Sequence, residues 1–445
     1  MYKGGIALKK GSRVIAAAGC LIIVAIAWFL TATSKSADQR QLELIQAAMA
    51  LMQDGIYIRA VPLLEEAAGM NATHTQEAEE ELKIAYLELI GTRGFGRRYV
   101  SLLERQMGRR DAIPEFFAEA AAYYLESSRV SDALRVLKDG IEQTGSRDLI
   151  AMYEGNRYAI EMSRTSYDYV AAIHRSTVQV QEDGLWGIAE SDGVLLIPCE
   201  YERISTYDAG CAIVMRNGEI YAVDRNNNRV ARLGERGATD IGNYANDRIP
   251  ILIDGVWRRS MGDLAPGSLA FEQIGMYSGG YAAAQVDGKW GVIGMSSEWL
   301  IEPVHDGIVQ DELGRCYAQG AVFVRIGHAV YLFIGSRQAG EAYEDARPFS
   351  TEGYAAVKRG GRWGYIDNAG NLIIDFQFPD ALSFGQHLAA VEQDGSWGYI
   401  NLDGVVVISP QFIEAKSFSN GSAPALTERG WQFITLLEYK KGVSL

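Results

Sequence analysis

The chain has 445 residues, 48% of them apolar and 22% charged, which is the make-up of a folded protein with material for more than one core. Its 42 basic and 56 acidic residues leave a formal charge of -14. That balance excludes a nucleic-acid partner, whose phosphates demand a basic face.

Taken in chain order, the first segment, 1–13, holds Lys3, Lys9, Lys10 and Arg13 and no acid, and reads as a cytoplasmic basic tail. The uncharged run Val14 to Leu30, extended to Thr33, approaches the ~20 residues that cross a bilayer. Residues 14–33 are therefore expected to form a transmembrane anchor, with the N-terminus cytoplasmic and the bulk of the chain outside, in a single-pass arrangement at the cell membrane. A cleaved signal peptide is the rival reading. Beyond Cys20, the cysteines Cys199, Cys211 and Cys316 are odd in number and widely spaced, so they read as small buried residues and not as a disulfide framework.

From 38 to 163 the period is helical. The stretch "DQRQLELIQAAMALMQDGIYIRAVPLLEEAAGM" breaks at Asp54-Gly55 between two amphipathic runs, as an αα-hairpin does. A small residue at Ala60 lets two helices approach, with Tyr57 and Leu64 beside it. The spacing recurs at Val130, Ala133 and Leu137. This segment resembles tetratricopeptide (TPR) repeats, which implies a short TPR-like solenoid of about three helix pairs. Within it Arg93, Arg97, Arg98, Arg105, Arg109 and Arg110 form a basic stretch in an acidic chain. It is either a patch for an anionic partner or a solvated helix face with local ion pairs.

After a linker at 164–176 the period changes to that of strands. Trp-Gly occurs at Trp186-Gly187, Trp290-Gly291, Trp363-Gly364 and Trp397-Gly398, and worn copies centre on Ile220, Trp257, Val330 and Trp431. About eight copies thus fill 177–437, a whole domain. The pattern resembles the WG-repeat (KWG-repeat) family of bacterial proteins. The resemblance implies a binding or structural module.

Each copy reads as a three-stranded meander. Asp183-Gly184, Asn217-Gly218, Asp254-Gly255, Asp287-Gly288 and Asp394-Gly395 suit type I′ hairpin turns. Alternation puts Trp363 and Tyr365 on one face and Gly364 on the other, where it is expected to clear a neighbouring sheet. The aromatics Tyr207, Tyr244, Tyr277, Phe349, Phe384 and Phe418 recur as plugs between units, and Pro198, Pro303, Pro379 and Pro410 close the third strands. A β-propeller-like ring is favoured over an open β-solenoid, with the stretch "YDYVAAI" at 167–173 supplying the strand that closes it.

No catalytic, metal-binding or cofactor-binding residue is assigned. The five histidines His74, His174, His305, His328 and His387 are scattered, and neither a Gly-x-Ser-x-Gly elbow nor a phosphate-binding Gly-Lys-Ser/Thr loop occurs. The expected protein is not an enzyme. It is a membrane-anchored, outward-facing scaffold for protein partners at the bacterial cell surface, with a cell-wall glycan or polymer module and an enzyme with an unrecognised site as the alternatives.

Overall fold

A computed structural model of the chain describes residues 37–70, 72–232, 237–260 and 266–439. It divides between Tyr153 and Glu154 into two compact units.

The first unit is helical. Helix α1 covers 37–53 and is followed by α2 (Tyr57–Gly69), α3 (Thr75–Glu88), α4 (Phe95–Met107), α5 (Pro114–Glu126), α6 (Val130–Thr144) and α7 (Arg147–Glu154). The small residues do what the spacing requires: Ala60 and Ala133 are fully buried beside Leu64 and Leu137. Gly140, in the middle of α6, costs ~1 kcal/mol relative to alanine, but a Cβ there would stand 2.7 Å from both Phe117 and Leu149. Close approach of α5 and α7 explains it. Charged side chains tie the stack together. Lys83 of α3 is buried and bonds Glu119 of α5 at 2.7 Å, while buried Glu79 accepts from Arg109 at 2.5 Å.

The second unit is a ring of eight small antiparallel sheets, an eight-bladed β-propeller. The favoured closed architecture is therefore the observed one. Seven of the blades carry one strand more than the meander expected, and the seventh keeps to three. In the first blade a two-residue strand, Tyr169–Val170, precedes Thr177–Glu182, Leu185–Glu190 and Leu195–Tyr201. Two residues are too few for alternation to register in a sequence. The hairpin turns hold, with Asp183 and Gly184 at φ +51° and +78° and the other Asp-Gly and Asn-Gly pairs alike.

Closure differs from the expectation. The last blade is completed by Ile160–Met162, which pairs antiparallel with Gly430–Leu436. The stretch 167–173 instead supplies the short first strand of the first blade, and its backbone meets the last blade at a bridge between Tyr167 and Trp431.

The Trp-Gly glycine also has a different neighbour. A Cβ on Gly364 would lie 2.7 Å from the Ile374 carbonyl oxygen, and one on Gly398 would lie 2.7 Å from Pro410 N. Both clashes are with the outer strand of the same blade, where the register slips between Trp363 and Tyr365 and between Trp397 and Tyr399. The glycine makes room for that bulge. Pro198, Pro303 and Pro410 lie inside these outer strands and do not end them. An edge strand tolerates proline because its outward side pairs with nothing.

The membrane expectation is corrected. Among the described residues no helix is long and apolar enough to cross a membrane. The run 14–33 on which the anchor rested lies outside the described residues. The transmembrane helix and the single-pass membrane localisation built on it accordingly lack support and are withdrawn.

Candidate functional site

The basic stretch of the helical unit does not converge. Arg98 pairs with Glu65 of α2 at 3.1 Å and lies over the Phe95 ring, and Arg109 is spent on Glu79. Arg93, Arg97, Arg105 and Arg110 are exposed and spread from the loop before α4 to the loop after it. Beside Arg93 and Arg97 lies a feature that the sequence reading passed over. Ile84 and Leu87, three residues apart on α3, are 47% and 45% exposed, and Ile90 follows at 39%. Residues so spaced are neighbours on a helix surface. Together they make an apolar strip with a basic end.

In the ring, the repeat tryptophans are structural. Trp363 and Trp431 are buried, while Trp186, Trp257, Trp290 and Trp397 are partly so, and Gly187, Gly291, Gly364 and Gly398 are buried beside them. The recurrent aromatics seat between blades as expected: Phe384 packs on Tyr365 of the preceding blade at 4.8 Å, Phe418 on Tyr399 at 4.7 Å, and Phe349 stacks on Phe323 at 5.0 Å.

A long loop ties blades across the ring. In the fifth blade twelve residues separate Gly307–Ile308 from the next strand, Ala321–Ile326, where other blades use six or seven. Leu313, in this loop, packs with Ala171, Ala245 and Met276 of the first, third and fourth blades, and its carbonyl accepts from Asn243 at 3.0 Å. Glu312 reaches both sides of the ring closure. It pairs with Lys416 of the last blade and accepts from the Tyr169 hydroxyl of the first at 2.7 Å. The Lys416 ammonium lies 4.8 Å and 5.0 Å from the Tyr169 and Trp431 ring centres. Burial, with the Glu312 carboxylate beside it, holds the Tyr169 phenol far above its ordinary range. The sequence did carry a signal for this loop, since forty residues separate Trp290 from Val330 but thirty-three separate Val330 from Trp363.

Turns between the first two strands of each blade hold hands around one face. Arg175 donates to Asp208 at 2.7 Å, Asp208 accepts from Asn246 N, Gln319 donates to Thr351 O, Glu352 accepts from His387 N, and Gln386 accepts from Gly421 N. His174 sits in this girdle with Nε2 unbonded, 3.8 Å from Asp208. Burial, then the Arg315 guanidinium, pushes its imidazole down to about 4.

On the same face, a cleft of about 680 Å³ opens at the seam between the last blade and the first. Its wall runs from Ser163 and Arg164, just after the closing strand, past Ser176 and Ser191 of the first blade, to Arg225 of the second and Tyr439 after the last. Among the described residues no group of three or more His, Cys, Asp or Glu side chains is placed to hold a metal ion.

Five segments of the chain, 186–219, 268–290, 342–363, 363–397 and 397–431, match the model of the WG containing repeat. The repeat recognised in the sequence is thereby borne out over those five segments. No curated protein matches the chain. Among solved structures the chain is similar to Kluyveromyces lactis Hsv2p at 10% identity, covering 51% of this chain and 90% of that one, with a TM-score of 0.32. It is similar also to Citrobacter koseri AztD, at 10% identity over 58% and 88% with a TM-score of 0.33. The Neurospora crassa Pan2 WD40 domain matches at 10% identity over 64% and 96%, with a TM-score of 0.34. Likenesses this loose carry nothing about function.

Proposed function

We propose that the protein is a binding scaffold for protein partners, with the propeller as a rigid body and the helical unit as a docking element. The observation that supports this reading best is the α3 strip. Ile84, Leu87 and Ile90 leave adjoining apolar surface in water, and Arg93 and Arg97, which follow them in the chain, are exposed with no ion partner among the described residues. Apolar anchors rimmed by unspent charge are what an amphipathic, acidic segment of another protein would cover. The ring fits the same role. Its centre is crossed by the fifth-blade loop and held by the Lys416–Glu312 pair, so partners would meet its faces and rim.

A photo-reactive amino acid at position 87, introduced in cells that make the protein natively, tests the proposal. A discrete protein adduct is expected, lost on Ile84→Glu and kept in the control variant Glu126→Gln at the end of α5. Leu87 and Ile84 are exposed, so these changes leave the fold intact. No adduct, or an adduct indifferent to Ile84→Glu, would sink the docking role of the strip.

A further inference from the structure

The seam cleft is chemically unlike the α3 strip and stands independently of it. We infer that it binds a neutral oligosaccharide. Six of the residues around it carry aliphatic hydroxyls. Of these, Ser176 and Ser191 are brought side by side by a bond from Ser191 N to Ser176 O at 3.0 Å, and among the described residues their own hydroxyls have no hydrogen-bond partner. The charges come close to balance, Arg164 and Arg225 standing against Glu161, Glu190 and Asp192, with Arg225 engaged by Glu190 at 3.0 Å. A lining with one net negative charge has no field with which to recruit an anion. It offers instead hydroxyls that both donate and accept, for a ligand that does the same at every position, as sugar hydroxyls do.

An aromatic ring completes the site. Tyr439 is 52% exposed and is the only aromatic among the described residues to appear with the exposed large apolar side chains. It is nevertheless held in place, because it packs over Gly421, where a Cβ would stand 2.6 Å from the tyrosine's own Cβ. At the second-blade end Tyr207 is oriented by a bond from its hydroxyl to Gly210 O at 2.8 Å. Two positioned rings over a hydroxyl-lined floor suit the apolar faces of sugar rings. A peptide would be held by buried aliphatic or aromatic anchors, and here the aliphatic lining is Met162 and Leu196 alone.

The cleft spans parts of the chain that ring closure brings together: residues 161–164 at the closing strand, the first two blades and the last. A ligand seated across it therefore binds only the closed ring and stabilises that state.

The full-length chain is titrated by calorimetry with cellotetraose, chitotetraose and maltotetraose, and against a set of short neutral peptides. Saturable binding of at least one sugar is expected, with a rise in melting temperature. Tyr439→Ala should weaken it about tenfold, Tyr439→Trp should retain it, and Ser191→Arg should block it while leaving the unliganded melting temperature unchanged. Leu87→Glu should leave sugar binding untouched, which keeps this result separate from that of the docking strip. Failure of all three sugars to bind, binding indifferent to Tyr439→Ala and Ser191→Arg, or uptake of peptides in place of sugars would overturn the proposal.

Discussion

Trp363 and Trp397 hold the same register position in adjacent blades, each facing a buried aromatic of the outer strand, Phe378 or Phe412. Their surroundings differ. Trp363 is 3% exposed, with the Arg347 guanidinium 4.8 Å above its ring, whereas Trp397 is only partly buried. Trp363→Ala is accordingly expected to cost about 3–5 kcal/mol. Trp397→Ala should cost clearly less, since less surface returns to water. Equal losses in urea denaturation would show that burial does not set the difference. The pairing of tryptophan with glycine was legible in the sequence as a large residue beside a cleared one. What Gly364 clears was not, because the clash comes from a bulge in its own outer strand, and a bulge is a relation between two strands.

At the scale of elements, the ring is closed by a short strand. Ile160–Met162 pairs over three residues, while the outer strands of several other blades run to seven. Beyond it Ser163 carries the seam. Its N–H donates to Phe433 O at 2.7 Å, its hydroxyl accepts from Phe433 N at 3.0 Å, and its carbonyl accepts from Gln432 at 2.7 Å. Ser163→Pro removes the first two of these bonds. Amides of Gly430–Leu436 should then exchange with solvent distinctly faster than those of Arg362–Asp367 in the sixth blade. If both strands exchange as in the parent chain, the seam does not depend on Ser163. Sequence inspection pointed to a closing strand but placed it at 167–173, because the apolar alternation there is the clearer. Pairing decides otherwise: Tyr169 and Val170 are already spoken for by Gln181 and Val180.

At the scale of the whole molecule, the girdle of turns and the fifth-blade loop make the ring one cooperative object, and His174 gives it a pH dependence. This imidazole is largely buried, with its side chain 12% exposed, faces Asp208, Arg175 and Arg315, and has its pKa pushed down to about 4 from 6.5. Because the folded value lies below the unfolded one, the unfolded chain binds the proton more tightly. The contribution is complete above about 6.5 and is lost as pH falls toward about 4. The melting temperature should thus drop through that window, and His174→Asn should flatten that part of the decline. An unchanged profile in the variant would assign the acid sensitivity to other groups.

What the sequence determined by itself is everything that repeats locally: eight copies, their hairpin turns, the aromatic seats and the small residues between helices. Each of these is fixed by φ preference, side-chain period or size within a few residues, as with Asp183-Gly184, Phe384 and Ala60. The tertiary structure alone decided which strand closes the ring, what the Trp-Gly glycine clears, and how Glu312 joins Lys416 to Tyr169. The first and last of these bring together residues more than one hundred positions apart, and the second is a slip in register between two strands. Local preference says nothing about such meetings, and they become visible only when eight similar blades are laid in a circle.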